Sequence, residues 1–521
     1  MPAITIDDQT IDVPDGSTVL DAANQLGIEI PTLCFLKGYL PSTSCQVCLV
    51  RDRANGKLVP SCATKIVDGM QIDSETAEVH AARRTALELL LSDHVGDCLA
   101  PCFFACPAHM DIPLMLRQLG GHDLHHAIET IKRDIAIPAV LGRICTKPCE
   151  KGCRRSSADD PVSVCELKRY AADQDLAAEQ SYTPECAADS GKRVAIIGAG
   201  PTGLSAAYYL RQRGHACRLI EATKQLGGRL RLEIDPVTMP RETLDAEIAQ
   251  IVRLDVDVET ETAVDSREAF ETLVESYDVV LIAAGMDAVK LADEWSVESS
   301  RRGIDITRET YQTKRGNVFA AGSAVRGKCL FVRSAADGKE VAGCIDQFLS
   351  GETVTAPAKP FASRLGRLAT DEMKQFLAGA ASVPVQILTK KEEYSSDQVA
   401  DQSDRCLSCG CVAHGDCRLE NYSARYGADP NRFGTRQGKY EVVGRGGKVL
   451  FEPGKCIKCE LCIQIASESK NALGLSFVGR GFDVRVSVPF DGNYDEGMGE
   501  LAARCIAACP TGALYFDRKT E

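Results

Sequence analysis

Twenty of the chain's 24 cysteines fall into tight groups at metal-ligand spacing, and one G-x-G-x-x-G turn lies between those groups. Thiolates a few residues apart can wrap an iron-sulfur cluster, and a glycine turn that opens a helix can seat a pyrophosphate. One-electron carriers beside a two-electron carrier amount to an electron path. Cys34, Cys45, Cys48 and Cys62 follow C-x10-C-x2-C-x13-C. Those four thiolates suit a 2Fe-2S centre, with tetrahedral zinc or plain buried cysteines as the alternatives. In HVGDCLAPCFFACP, His94, Cys98, Cys102 and Cys106 advance by four residues; LGRICTKPCEKGC repeats that step at Cys145, Cys149 and Cys153, and Cys165 follows in PVSVCELK. These eight ligands are enough for two 4Fe-4S clusters. The alternative for His94 is an ordinary helix-terminal or surface histidine. Farther on, RCLSCGCVAHGDC holds Cys406, Cys409, Cys411 and Cys417 within twelve residues, compact enough to mean a metal, either a further cluster or structural zinc. KCIKCELC supplies Cys456, Cys459 and Cys462, and RCIAACP supplies Cys505 and Cys509 before Pro510. Cys186, Cys217, Cys329 and Cys344 stand outside every group and read as small buried hydrophobes.

The glycine turn sits in KRVAIIGAGPTGLSAAYYL, an apolar strand running into a helix. Gly198 permits the tight turn, Gly200 lets backbone N–H groups reach a pyrophosphate, and Gly203 lets the helix pack on the strand. Glu221 ends the next strand, CRLIE, where a carboxylate accepts hydrogen bonds from a ribose. The alternative is a relic of the fold that holds no dinucleotide.

The elements that must position these groups can be read from periodicity. Residues 1–77 alternate like strands around one short helix, residues 78–190 turn helical with cysteines at the joins, and residues 191–355 alternate strand and helix around glycine turns. A connecting segment, 356–400, precedes the compact four-cysteine motif at 401–428 and a last cysteine-rich domain at 429–521. The fold class expected is multidomain, part α+β and part α/β. At 521 residues, 44% hydrophobic and 26% charged, the composition is that of a globular chain. MPAITIDDQT lacks a basic, then apolar, leader, and no window is apolar enough to span a membrane; a cytoplasmic protein is expected, in which grouped cysteines are metal ligands rather than disulfides. The formal charge of -13 argues against nucleic acid as a partner.

The N-terminal spacing, with the preceding IPTLC, resembles the ferredoxin-like domain of the large iron-sulfur subunit of respiratory complex I and of multimeric iron-only hydrogenases, which implies a β-grasp 2Fe-2S domain. His94-x3-Cys98 also resembles the His-ligated cluster of that complex I subunit. Residues 78–190 resemble the small subunit of bacterial glutamate synthase and the matching part of dihydropyrimidine dehydrogenase. That resemblance implies two shared clusters, one on His94, Cys98, Cys102 and Cys153, the other on Cys106, Cys145, Cys149 and Cys165. The chain departs from the family at His94, where cysteine is usual, and at Lys168, near a usual glutamine or glutamate.

The glycine turn, Gly227-Gly228-Arg229 in QLGGRLR, Gly285 after YDVVLIAA, and Gly322-Ser323 in GNVFAAGS resemble the Rossmann-like FAD domain of two-dinucleotide flavoproteins, although aspartate is usual at Ser323. Only 30 residues separate Gly285 from Gly316, too few for that family's NAD(P) domain of about a hundred residues. The C-terminal run resembles a ferredoxin in which Cys509 completes the 4Fe-4S site of Cys456, Cys459 and Cys462. The resemblances together imply an electron-transfer subunit with FAD, one 2Fe-2S cluster and three to four 4Fe-4S clusters. Such a subunit would serve partner subunits of a hydrogenase, formate dehydrogenase or NADH-linked complex, or ferredoxin. A self-contained oxidoreductase using NADH at the flavin, and a non-catalytic scaffold, are the alternatives.

Overall fold

The computed structural model describes residues 1–357, 359–386, 394–434 and 438–517; parts of the connecting segment and the extreme C-terminus lie outside the described residues. Two units emerge, and they do not follow the linear segments. The first gathers Met1–Ala100, Pro360–Gly379 and Ser408–Glu521; the second comprises Pro101–Lys359 and Ala380–Leu407. The second unit is thus an insertion in the sequence of the first.

In the first unit, five short strands form one sheet in the order Gln9–Asp12, Ala3–Ile6, Met70–Asp73, Leu49–Asp52, Leu58–Pro60. Alternation turns Ile4, Ile6, Val50 and Ile72 inward, where all are buried with Val19 and Leu20 of the crossing helix Val19–Gln25. That helix begins at a capping box, because Thr18 caps the Asp21 amide while the Asp21 carboxylate accepts from the Thr18 N–H. The loop between residues 26 and 48 carries three of the four N-terminal cysteines. Farther along, Val449–Phe451 pairs antiparallel with Leu514–Phe516, and the helices Leu461–Ala466 and Ala502–Ala508 share an apolar core with that ribbon.

The second unit opens with helices, among them Ile112–Gly120, Leu124–Lys132, Pro138–Ile144 and Val164–Ala177. A parallel sheet follows in the order Val318–Ala320, Val279–Ile282, Arg193–Ile197, Ala216–Ile220, Asp257–Glu259. Its central strands are continuous runs of buried Val and Ile, as expected where helices cover both faces. The helix Phe331–Leu349 lies so close to Pro201–Gln212 that a side chain at Gly338 would overlap the Thr202 carbonyl.

Residues 285–316 form a 3-10 turn, Gly285–Leu291, and a two-strand ribbon of Ser299–Ser300 with Gly303–Ile304. Between them Trp295 is fully buried, stacked on Phe270 with centroids 5.5 Å apart, and its indole N–H donates to Val264 O at 3.0 Å. This side chain anchors the short connection in the core it shares with Val280, Ile282, Val318 and Ala320. Trp295→Ala is expected to cost about 3–5 kcal/mol, the usual loss for deleting a buried indole. Denaturant unfolding of the full chain measures it, and an unchanged midpoint would show that the connection is not anchored there.

Candidate cysteine and dinucleotide sites

Around the N-terminal loop the sulfurs stand in two pairs. Cys34 and Cys45 are 3.3 Å apart, and Cys48 and Cys62 are 3.4 Å apart, all four residues being buried. Two thiolates on one tetrahedral metal lie about 3.8 Å apart for a metal–sulfur bond of about 2.3 Å. Each pair therefore fits one metal, and two pairs fit a two-metal centre. Among the described residues no three Cys, His, Asp or Glu side chains converge on one point as a single ion would require. Within each pair one thiol is the better anion: hydrogen bonding to Cys45 brings Cys34 down to about 6 against the push of burial, and hydrogen bonding to Cys62 brings Cys48 down to about 7. Thr43 and Gln46 take positive φ in the loop, and Gln46 ties it by donating to Thr43 O.

In the second unit, Cys106, Cys145, Cys149 and Cys165 come together around Lys168. Cys165 exchanges hydrogen bonds with Cys145 and Cys149, and all four sulfurs act on the ammonium of Lys168. Lys168 is fully buried; burial alone would push its pKa down, yet the thiolates of Cys165, Cys145, Cys149 and Cys106 raise it. The residue that departs from the family pattern is thus a fixed cation against the sulfurs. Nothing in the sequence spacing marks that role. Cys102, on the helix Pro101–Ala105, and Cys153, after the helix Pro148–Lys151, sit on segments so close that a Cβ on Gly152 would come within 2.7 Å of Ala105 Cβ. Cys153 also feels the charge of Arg405, the residue before Cys406.

The run from Cys406 to Cys417 does not fall into one body: Cys406 belongs to the second unit, and Cys409, Cys411 and Cys417 to the first. Cys98 shares the first unit, and its sulfur lies within electrostatic reach of Cys411 and Cys417. Its backbone O accepts from the Cys411 N–H at 3.1 Å. Cys409 lies within reach of Tyr440. His94 is half-buried with its Nδ1 shielded from water, and desolvation, with the positive charge of Lys455, lowers its pKa to about 4, so the imidazole is neutral and has a lone pair to give. Lys455 pairs with Glu452 at 2.8 Å, and both are buried.

Cys456, Cys459, Cys462 and Cys509 line a single cavity walled by Phe451, Leu461, Val486 and Leu514. Cys505 turns elsewhere and donates to Cys462 O at 3.7 Å. Lys458 and Glu460 adopt positive φ between the ligands, which curls the loop so that the Lys458 N–H reaches Cys456 Sγ at 3.4 Å. Of the ungrouped cysteines, Cys217 and Cys344 are buried and Cys329 is partly so, but Cys186 is exposed, which corrects the expectation of a buried hydrophobe there. Cys186 lies in a segment without regular structure, where the chain has no core to bury it in.

At the glycine turn, Gly198 has φ 103°, and any Cβ there would come 2.6 Å from Ala283 O. A Cβ on Gly203 would overlap Gly198 O, whereas around Gly200 the space is open, as a phosphate approach requires. Glu221 is buried at its strand end and accepts from the Ala199 N–H at 3.0 Å and the Thr223 N–H at 3.0 Å. A Cβ on Gly228 would come 3.1 Å from Gly200 Cα, and the Gly227 N–H donates to Ala199 O at 2.9 Å, so the second glycine pair closes on the first. Gly285 and Gly322 both have positive φ at the ends of neighbouring strands. Arg229 donates to Ser323 Oγ at 3.2 Å. The hydroxyl at Ser323 therefore meets a guanidinium where an aspartate is usual. The residues fit a bound dinucleotide: an open amide turn for phosphates, an acid for a ribose, and a cation beside Ser323.

Family models match the chain in three places. A 2Fe-2S iron-sulfur cluster binding domain matches residues 3–77, the 4Fe-4S domain II of dihydropyrimidine dehydrogenase matches 74–180, and a pyridine nucleotide-disulphide oxidoreductase domain matches 161–338. The chain carries these domains in that order, in agreement with the multidomain α/β reading. The NADP(+)-dependent formate dehydrogenase subunit beta of Moorella thermoacetica is 35% identical over 233 residues, 41% of this chain and 32% of that protein. The NADPH-Fe(3+) oxidoreductase subunit beta of Geobacter sulfurreducens is 34% identical over 219 residues, 41% of this chain and 33% of that one. The NAD-dependent dihydropyrimidine dehydrogenase subunit PreT of Salmonella typhimurium is 36% identical over 205 residues, 38% of this chain and 49% of that one. The matches thus span between a third and a half of those relatives' lengths.

The overlap at Gly203 sets a clear expectation. Gly203→Ala should destabilise the second unit by about 1–3 kcal/mol or more, because backbone rather than a movable side chain meets the new methyl. Gly200→Ala, with open space around it, should leave stability within about 0.5–1 kcal/mol of the parent and weaken only what binds at the turn. Paired melting curves check this, and equal effects at the two positions would refute the assignment of the turn.

Proposed function

We propose that the chain is an electron-transfer iron-sulfur flavoprotein subunit of a multisubunit oxidoreductase of the hydrogenase, formate dehydrogenase or NADH-linked type. It passes electrons between partner subunits, or to ferredoxin, through FAD, one 2Fe-2S cluster and three to four 4Fe-4S clusters. The observation that carries this reading is a shared interior: Cys34 and Cys45, Cys417, and Cys459, from three separate cysteine groups, belong to one apolar core of the first unit. Redox groups held by such neighbours are close and dry. The relatives' names, beta subunits of a formate dehydrogenase and of an NADPH-Fe(3+) oxidoreductase, support a subunit role. Among the described residues no helix is long and apolar enough to cross a membrane, in keeping with a cytoplasmic complex.

FAD would supply two-electron exchange, and iron-sulfur clusters would supply one-electron steps. The chain's own residues do the rest. The amides of the turn around Gly200 bind phosphate at the start of the helix Pro201–Gln212, Glu221 orients a ribose, and Arg229, held by Glu233, fixes the Ser323 hydroxyl beside the same site. The β-grasp-like sheet of residues 3–73 holds the N-terminal ligand loop, and Phe451, Leu461, Val486 and Leu514 keep water from the C-terminal thiolates.

The test is anaerobic purification of the chain with its co-eluting subunits, followed by flavin, iron and sulfide analysis and reductive titration watched by spin resonance. Expected are bound flavin and several signals that reduce reversibly through a partner or ferredoxin. Colourless protein, or protein whose only metal is zinc, would end the proposal. Rapid flavin bleaching of the isolated chain by NADH would place the substrate chemistry on this chain, and clusters that do not titrate would make it a scaffold.

A further inference from the structure

We infer that His94, Cys98, Cys411 and Cys417 form one cluster-binding site, built from two short stretches of chain between which the entire second unit is inserted. The inference rests on the reading that the cysteine groups carry iron-sulfur clusters, and it replaces both the His94–Cys98–Cys102–Cys153 set and the compact four-cysteine set. Its backbone is continuous in space though not in sequence. The chain leaves the first unit at Ala100, rejoins it over Pro360–Gly379, and enters it again at Ser408. Gly410 then lies so near the departing segment that a Cβ there would meet Ala100 N at 3.3 Å, and the Cys411 N–H donates to Cys98 O. Cys411 is therefore seated beside Cys98 as if it followed a few residues after it.

The sulfurs are prepared for charge. Cys98 Sγ accepts from the Ser363 N–H at 3.4 Å, and Cys417 Sγ accepts from the Glu420 N–H at 3.5 Å. Such bonds favour a thiolate and raise the potential of what it ligates. Gly512 must be glycine, since a Cβ there would overlap Cys411 Sγ. His94 Nδ1 is buried and finds no hydrogen-bond partner among the described residues. An unpaired imidazole nitrogen in a dry interior is costly and unusual, and metal ligation satisfies it. Lys455 ties the histidine to the sulfurs, because its charge acts on both His94 and Cys411. H-x3-C from one stretch and C-x5-C from the other give four ligands with one negative charge fewer than four thiolates.

Iron and sulfide content and spin-resonance spectra of the full chain, reconstituted anaerobically, decide the matter. One shared site requires that Cys98→Ser and Cys417→Ser each lose the same signal and about four irons, and that the double variant lose no more than either. The 2Fe-2S signal, retained throughout, reports that the first unit has folded. Two different signals lost, with about eight irons missing from the double variant, would overturn the grouping. His94→Cys should keep the iron and lower the midpoint potential of that same signal; an unchanged potential removes His94 from the site. Cys409→Ser should leave the signal intact, and its loss would put Cys409 in the place of the histidine. A parent chain without iron sinks the proposed function instead, so the two failures are distinct.

Discussion

Crowding sulfur into a dry interior is the constraint on which the rest of this structure depends. A buried thiol resists ionisation, since its thiolate loses solvation and meets its neighbours' negative charge. Burial pushes Cys456 up to about 11 and Cys417 and Cys459 to about 12, and Cys98, Cys145 and Cys462 are also raised. Metals bind the deprotonated form, so loading these groups and folding around them are linked. The chain counters the charge in two ways. Backbone N–H groups from Ser363, Glu420 and Lys458 donate to sulfurs, and Lys168 and Lys455 are buried as cations beside them. A lysine that is almost fully buried is rarely tolerated without such partners. For Lys168 the partners are the sulfurs themselves, and for Lys455 they are the Glu452 carboxylate and Cys411.

Much of this is legible in the sequence where ligands and their fold are local. Cys456, Cys459, Cys462 and Cys509 sit on either side of one small ribbon-and-helix core, and the proline after Cys509 flags its role. Cys106 with Cys145, Cys149 and Cys165 is also recoverable, because helices of the same unit bring them together. The glycine turn is legible for a steric reason: Gly198 and Gly203 are the residues whose missing Cβ lets strand, turn and helix close. What is not legible is the fate of Cys98. Four-residue steps from His94 to Cys106 suggest one helical face, but the helix of Ala77–Ser92 ends before His94, and a new one starts at Pro101. Proline at the first helical position is a start signal, and it divides the run in two. Periodicity across a helix boundary carries no information about which sulfurs meet.

The same division explains why the linear segments fail to match the two units. A composition shift marks a change of secondary structure, and a helix starts at Ala77 and a strand at Arg193. It does not mark where a chain leaves one hydrophobic core and later rejoins it. The segment Pro360–Gly379 shows this: read as a connector, it belongs to the first unit, where Leu365 N–H donates to the Asp97 carboxylate and Ser363 donates to both Gly96 O and Cys98 Sγ. Hydrogen bonds to a buried carboxylate and a buried sulfur are specific, but they are made by residues with no pattern of their own.

An insertion placed between two ligand pairs has an energetic consequence. Closing a long loop costs little more than closing a moderate one, because the entropy grows only with the logarithm of length. The intervening chain is also pinned to the first unit by Pro360–Gly379, so the loop that joins 94–98 to 411–417 closes in two steps rather than one. In the proposed grouping, His94 and Cys98 meet Cys411 and Cys417 only across this long stretch of chain. The N-terminal 2Fe-2S loop, whose four cysteines all lie within residues 34–62, spans no such stretch. The two kinds of site, one local and one assembled, differ for this physical reason in the length of chain that must close before their ligands meet.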